Sequence, residues 1–281
     1  MDQLKKKLNA LESDWMELLF AQLRTSFSGI HLPSHDHWHH YRVWQFVKII
    51  LAHLEGKGVV FNNHELTNLM LASLFHDVGL TQTLDEWHGK AGADICREFI
   101  ESHKLNQSAD LSTALEAIEK HDDKQYNQTL TRKGKPSLLA ILSTADDLDA
   151  FGFIGVVRYA EIYLLRNTNI EDISDKVLNN ADHRFLHFSR EFYHFKVLVE
   201  QQRQRYESLV DFYKSVNPSP ASNNHPGNML RHIRNNIENR QNNSSLTDLL
   251  NPIDSEYIQS FKDQIIKEHN HFRNDSMDQF T

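Results

Sequence analysis

Apolar residues recur along most of the chain at steps of three and four positions, the spacing that lines one face of an α-helix. One clear stripe predicts a helix that runs from an N-cap at Ser34 or Asp36 to the turn at 56–58. Its inward positions are Val43, Val47, Ile50 and Leu54. No segment shows a strand alternation strong enough to require a sheet, and 10 glycines and 6 prolines are few for 281 residues. The pattern therefore predicts an all-α protein.

The same periodicity predicts further helices up to about residue 216 and two shorter ones beyond it. They cover 64–78, 84–102, 109–121, 137–151, 154–165, 182–216, 229–239 and 254–269. After Val216 the composition changes to NPSPASNNHPGN, where three prolines lie among small polar residues, as is typical of a linker. We therefore predict one domain over 1–216 and a C-terminal extension over 217–281, made of a linker and short helices.

The charge and the cysteine content of the chain limit which binding partners and which cellular compartment we expect. Lysine and arginine number 30 against 38 acidic residues, a net charge of −8, so we expect no binding to duplex nucleic acid. The single cysteine, Cys96, has no partner for an internal disulfide, which favours a reducing compartment. Acidic residues interrupt the apolar positions near the N-terminus, and no apolar run approaches the ~20 residues of a spanning helix. We expect a soluble cytoplasmic protein without membrane contact.

Three short stretches carry the residues best suited to chemistry. LFHDVG places His76 and Asp77 side by side at the end of an apolar helix. A further histidine from SHDHWHHYRV and a carboxylate from STADDLDAFG would complete a mixed nitrogen and oxygen ligand set. Such a set suits manganese, iron, cobalt, nickel or zinc better than calcium. Spacing alone does not decide whether His39 or His40 is the ligand, or whether Asp146 or Asp149 is.

The order of these elements resembles the HD-domain superfamily of metal-dependent phosphohydrolases, with a motif core over 36–157. The family's elements correspond here to H-x-x-R-V at His39, LFHDVG at His76 and Asp77, WHGKAGA at His88, IEKHD at His121 and ADDLDA at Asp146. The resemblance implies a helical bundle with additional C-terminal helices. It also implies that the metal ligands are His39, His76, Asp77 and Asp146. The resemblance thus selects His39 over His40 and Asp146 over Asp149.

The resemblance further implies roles for residues around that set. Asp77, His88 and His121 would be catalytic, and His88 and His121 would bind a second metal in a dinuclear site or face the substrate phosphate in a mononuclear one. Three cations are candidates for contact with a phosphate group, namely Arg42, Lys90 and Lys124. For Arg42, pairing with an acid to anchor its helix is the alternative.

The amino-acid sequence around the last motif resembles that of one branch of the superfamily. TADDLDAFGFIGVVR is similar to ADRLDAxGAIGIAR of small bacterial HD hydrolases related to nucleotide pyrophosphohydrolases, except that Asp147 stands where those relatives usually have arginine. The implied activity is hydrolysis of a phosphate ester or phosphoanhydride of a small molecule, with a nucleotide as the expected substrate. The alternative is a nucleotide-sensing regulatory protein with little or no turnover. The extension over 217–281 has three open interpretations: a lid, a dimerisation arm of a homodimer, or a partly ordered tail.

Overall fold

The computed structural model describes residues 2–103, 111–123, 134–217, 225–239, 245–251 and 255–273. In these ranges the chain forms eleven α-helices and short 3-10 turns, and the same ranges contain no strand. The prediction of an all-α fold is confirmed. Within the described ranges, none of the helices is both long and apolar enough to cross a membrane.

Close packing divides the chain into two compact units, one of residues 1–30 and 35–148 and one of residues 31–34 and 149–281. The first unit holds α1 (Asp2–Ser26), α2 (His37–Glu55), α3 (Asn63–Phe75), α4 (His88–Ser102), α5 (Ser112–Lys120) and nearly all of α6 (Leu138–Asp149). The second holds α7 (Gly152–Leu165), α8 (Ile170–Glu191), α9 (Lys196–Ser215), α10 (His225–Glu238) and α11 (Glu256–Arg273). Residues 149–216 thus pack with the C-terminal segments, and the domain boundary at 216 stays a prediction.

Local sequence explains where α2 and α3 begin. The Asp36 side chain accepts hydrogen bonds from the backbone N–H groups of Trp38 and His39, so Asp36 is the N-cap of α2. Asn62 and Glu65 form a capping box at the start of α3. The predicted apolar stripe of α2 is almost fully buried, and α2 packs on α3, which in turn packs on α5. These contacts place the carboxyl end of α3 beside the first turn of α2.

The predicted single helix over 182–216 is wrong, because the chain breaks at Phe192–Phe195 into the hairpin of α8 and α9. The hairpin brings the rings of Phe185 and Tyr206 into a stack 4.4 Å apart. It also buries Phe188 and Phe192, whose rings are 5.0 Å apart. Continuous helical periodicity cannot reveal such a reversal, since burial of aromatic area across the two arms favours it.

Candidate metal centre

Four predicted ligands meet in the interior of the first unit and form what we call the first donor group, His39, His76, Asp77 and Asp146. Nε2 of His39 lies 3.1 Å from Nε2 of His76 and 3.2 Å from Oδ2 of Asp77. Oδ1 of Asp146 is 3.8 Å from both imidazole Nε2 atoms. All four residues are buried, and each belongs to a different helix end or turn except the adjacent pair His76 and Asp77.

These separations fit a metal ion. Donor atoms that coordinate a first-row metal at 2.0–2.2 Å lie roughly 3.0–3.4 Å from one another in tetrahedral or octahedral geometry. The shortest separations in the first donor group have this value. A buried pair of imidazole nitrogens at 3.1 Å beside two carboxylates could hold a transition metal, because nitrogen and oxygen donors of the kinds such ions prefer converge there.

A second donor group consists of Asp77, His88 and His121. Oδ1 of Asp77 lies 2.9 Å from Nε2 of His121 and 3.6 Å from Nε2 of His88. The other oxygen, Oδ2, faces His39 and His76. Asp77 therefore belongs to both groups through different oxygens, which is the arrangement of a bridging carboxylate.

Three of the four histidines are oriented by the same backbone contact. The Nδ1 atom lies within hydrogen-bond distance of the carbonyl oxygen three residues earlier, at 2.9 Å for His76, 2.6 Å for His88 and 2.7 Å for His121. A carbonyl only accepts, so Nδ1 donates in all three residues, and in the neutral ring Nε2 is the nitrogen that is free to bind a metal. Ligating histidines in metalloproteins are commonly fixed by this kind of contact.

Two glycines allow the second donor group to assemble. A Cβ on Gly79 would lie 1.9 Å from the carbonyl oxygen of His88, and a Cβ on Gly89 would lie 2.5 Å from that of Glu119. The amino end of α4 thus packs directly on the turn after Asp77 and on the end of α5. A Cβ on Gly79 would also lie 2.6 Å from the backbone nitrogen of Gly92, the second glycine of WHGKAGA.

Burial and mutual charge set the protonation of the ligands. Burial disfavours the charged form of Asp77, but the charge of His76 and hydrogen bonds from His121 and His39 outweigh it and hold the pKa of Asp77 well below its ordinary value. Burial lowers the pKa of His76 despite the attraction of Asp77. For His121 the hydrogen bond and charge of Asp77 overcome burial and raise the pKa. Asp77 is therefore an ionised carboxylate at neutral pH, the form in which it can bind a metal.

His40 and Asp149, which the sequence spacing did not distinguish from His39 and Asp146, lie outside both donor groups. His40 is fully buried, with ring centroids 5.3 Å from Phe27 and 5.0 Å from His76, and it belongs to neither donor group. Asp149, grouped with the second unit, pairs with Arg158 at 3.1 Å. The structure thus brings His39 and Asp146 into the centre, the choices implied by the family resemblance.

The three cations that we predict to contact a phosphate group are not members of either donor group. Arg42 is buried at 2% exposure on α2, Lys90 is exposed on α4 two residues after His88, and Lys124 lies outside the described residues. Neither Arg42 nor Lys90 belongs to a donor group, and their roles at a substrate stay predictions. The ring of His35, just before α2, is nearly buried and packs edge-on against His39 at 5.5 Å.

Comparison with known proteins gives one family match, to the model described as HD domain, over residues 38–150. No curated protein and no solved structure matches the chain. The matched segment contains every member of both donor groups. Residues 38–150 therefore match the HD domain, a family whose members are generally metal-dependent hydrolases.

Proposed function

We propose that this protein is a metal-dependent phosphohydrolase that cleaves a phosphate ester or phosphoanhydride of a nucleotide. The observation that carries the proposal is the position of Asp77, whose two oxygens face different sets of buried histidines. A carboxylate in this position can hold a metal with one oxygen and order a water or a second ion with the other. HD domains generally serve as metal-dependent hydrolases, which makes hydrolysis the natural use of such a site.

The first donor group would hold manganese, iron, cobalt, nickel or zinc. A bound ion of this kind lowers the pKa of a coordinated water and polarises a phosphoryl oxygen. The protein's own contribution is to fix the donors in its interior, so that little reorganisation is needed when the ion binds. A net charge of −8 does not prevent the approach of a phosphate when the local charge of the site is set by a metal.

Asp77 is our candidate to orient the attacking water, because it is shared between the two donor groups. His88 and His121 either bind a second ion or, when protonated, stabilise the negative charge that develops on the phosphoryl oxygens. Arg42, Lys90 and Lys124 are the proposed contacts for the substrate phosphate. We further propose a small-molecule phosphate or nucleotide as the substrate, a homodimer as the assembly and the cytoplasm as the compartment.

The test is to measure bound metal in the purified protein and to follow phosphate release with manganese, cobalt, nickel or iron. Nucleoside mono-, di- and triphosphates and cyclic dinucleotides form the panel. Asp77→Asn should abolish turnover while the far-ultraviolet circular dichroism stays unchanged. Asp94→Asn removes an exposed carboxylate on α4 and should retain full activity. Tight nucleotide binding without product in every metal would instead support the nucleotide-sensing alternative.

A further inference from the structure

A cavity of about 520 Å³ lies in the first unit, lined by α3, α5, the start of α6 and the segments that precede α3 and α6. Its buried lining is apolar and includes the side chains of Phe61, Leu69, Ala117 and Ile141. Voids in a packed interior rarely exceed the size of a water molecule, whereas sites for small organic molecules measure about 300–1,000 Å³. The cavity therefore has the size and the lining of a ligand site.

The cavity is separate from the metal centre. No member of either donor group lines it. Leu69 precedes His76 by seven residues, and a helical rise of about 1.5 Å per residue puts them about 10 Å apart along α3. Leu138 and Ile141 line the cavity at the start of α6, whereas Asp146 lies in the second half of that helix. A molecule in this cavity therefore contacts none of the metal donors.

The acidic and basic side chains around the cavity are already paired. The Lys135 ammonium lies 2.5 Å from a carboxylate oxygen of Glu65 and 4.6 Å from the centre of the Phe61 ring. Glu116 is paired with Lys120 at 2.7 Å. An ion that entered the cavity would lose its hydration without gaining an unpaired counter-charge, which is costly next to an apolar lining. The cavity therefore favours an uncharged molecule over an anion or a cation.

A buried amide fixes the role of the Thr113 hydroxyl. Asn68 is 2% exposed, and its Nδ2 donates a hydrogen bond to the hydroxyl oxygen of Thr113 at 2.8 Å. Both residues line the cavity. Because this oxygen accepts from Asn68, its own proton is left to donate, and within the described residues the hydroxyl makes no other hydrogen bond. An oxygen atom of a ligand is the matching acceptor.

We propose that this cavity is a second ligand site, which binds an uncharged and largely apolar organic molecule whose oxygen accepts a hydrogen bond from Thr113. The apolar body of the ligand covers the buried lining and removes it from water, and Thr113 orients the polar end. The site does not depend on the proposed hydrolysis, because none of its contacts involves the metal centre.

The probe is Prodan, a neutral naphthyl ketone whose fluorescence shifts to shorter wavelength in an apolar site, and anilinonaphthalene sulfonate is the anionic comparison. Both are titrated on the full chain. We expect saturable binding of Prodan, about tenfold or more tighter than that of the sulfonate. Leu139→Trp places a larger side chain in the cavity and should weaken Prodan binding about tenfold. Thr113→Val keeps the shape of the side chain but removes the hydroxyl, and should weaken Prodan binding about fivefold, the contribution of one hydrogen bond.

Two matched controls lie outside the cavity. Leu18→Trp, at an exposed leucine of α1, and Thr67→Val, on α3, should bind Prodan like the wild-type protein. Absence of saturable Prodan binding, or equal affinity in Leu139→Trp and Leu18→Trp, would overturn the site. Sulfonate binding as tight as that of Prodan contradicts the assignment to uncharged ligands, and an unchanged affinity in Thr113→Val contradicts the hydrogen bond. None of these readouts is phosphate release, so their failure is distinct from a failure of the proposed phosphohydrolase.

Discussion

Nε2 of His121 lies 2.9 Å from Oδ1 of Asp77, while Oδ2 of the same carboxylate is 3.2 Å from Nε2 of His39. One aspartate thus connects the histidines of the two donor groups through different oxygens. The relationship divides the centre into groups that can be tested separately.

Substitution of one histidine from each group should have different effects. We expect His39→Ala to lose both bound metal and phosphate release, because it removes a ligand from the four-residue group. His121→Ala should keep metal in the first donor group but lower turnover by about a hundredfold, a usual effect of removing one charge-stabilising group. Metal content by plasma mass spectrometry and initial rates are the measurements. His103→Ala, at the end of α4, should behave like wild type; identical metal loss in His39→Ala and His121→Ala would contradict the division.

The packing at Gly79 predicts a loss of stability. In Gly79→Ala the added methyl group meets the carbonyl oxygen of His88 at 1.9 Å, so α4 must move away from the turn after Asp77. We expect a decrease of about 1–3 kcal/mol in the free energy of unfolding in urea, the usual cost of overpacking. Gly56→Ala is the matched control, since its Cβ would lie at an ordinary 3.4 Å from the nearest atom. Equal stability of the two variants would show that the contact at Gly79 is relaxed without cost.

Buried Glu161 predicts a dependence of stability on pH. Its carboxylate accepts hydrogen bonds from the backbone N–H and the hydroxyl of Ser34, yet burial outweighs these contacts and raises its pKa to about 7 from 4.5. Between those values the folded state holds a proton that the unfolded state releases, so this group's contribution falls as pH rises from about 4.5 to about 7. The change should be on the order of 3 kcal/mol.

Glu161→Gln should therefore flatten the stability profile over that window, because the amide has no proton to lose. Urea unfolding of both proteins at half-unit pH steps measures the slope. Glu116→Gln, an exposed carboxylate on α5, should keep the wild-type slope. A Glu161→Gln profile parallel to wild type across the whole window would contradict the prediction.

A fourth prediction concerns the C-terminal extension. Both carboxylate oxygens of Glu268 on α11 accept backbone N–H groups at the start of α7, from Phe153 and Ile154, at 3.1 Å each. A carboxylate at a helix amino end satisfies free donors and interacts favourably with the helix dipole. We expect Glu268→Ala to lower the melting temperature through a loss of about 1 kcal/mol and Glu268→Gln to lose less.

Lys267 is an exposed neighbour of Glu268 on the same helix, and Lys267→Ala should have the melting temperature of the wild-type protein. A Glu268→Ala variant as stable as Lys267→Ala would mean that the carboxylate contributes nothing to holding α11 on α7. The contact also bears on Gly152, which has a positive φ of 76° and where a Cβ would lie 2.3 Å from the Glu268 carboxylate. Gly152 is therefore required both by backbone conformation and by space.

The sequence by itself determined the helical class and identified the stretches that carry the candidate metal ligands. Repeats of three and four residues report which face of a segment is buried, and short contiguous motifs such as LFHDVG carry their chemistry within a few residues. The choice of His39 over His40 depended on the family phrase H-x-x-R-V, since both positions satisfy the periodicity equally well. The match over 38–150 shows the HD domain that this order of motifs resembled.

Only the tertiary structure decided the features that depend on contacts between distant segments. The division of Asp77 between two histidine sets, the pairing of Asp149 with Arg158, the hairpin at Phe192–Phe195 and the docking of Glu268 at α7 all belong to this class. Each joins residues whose local sequence is compatible with several arrangements. The free energy that selects among them comes from burial and hydrogen bonding across the fold, which a periodic pattern along one segment does not record.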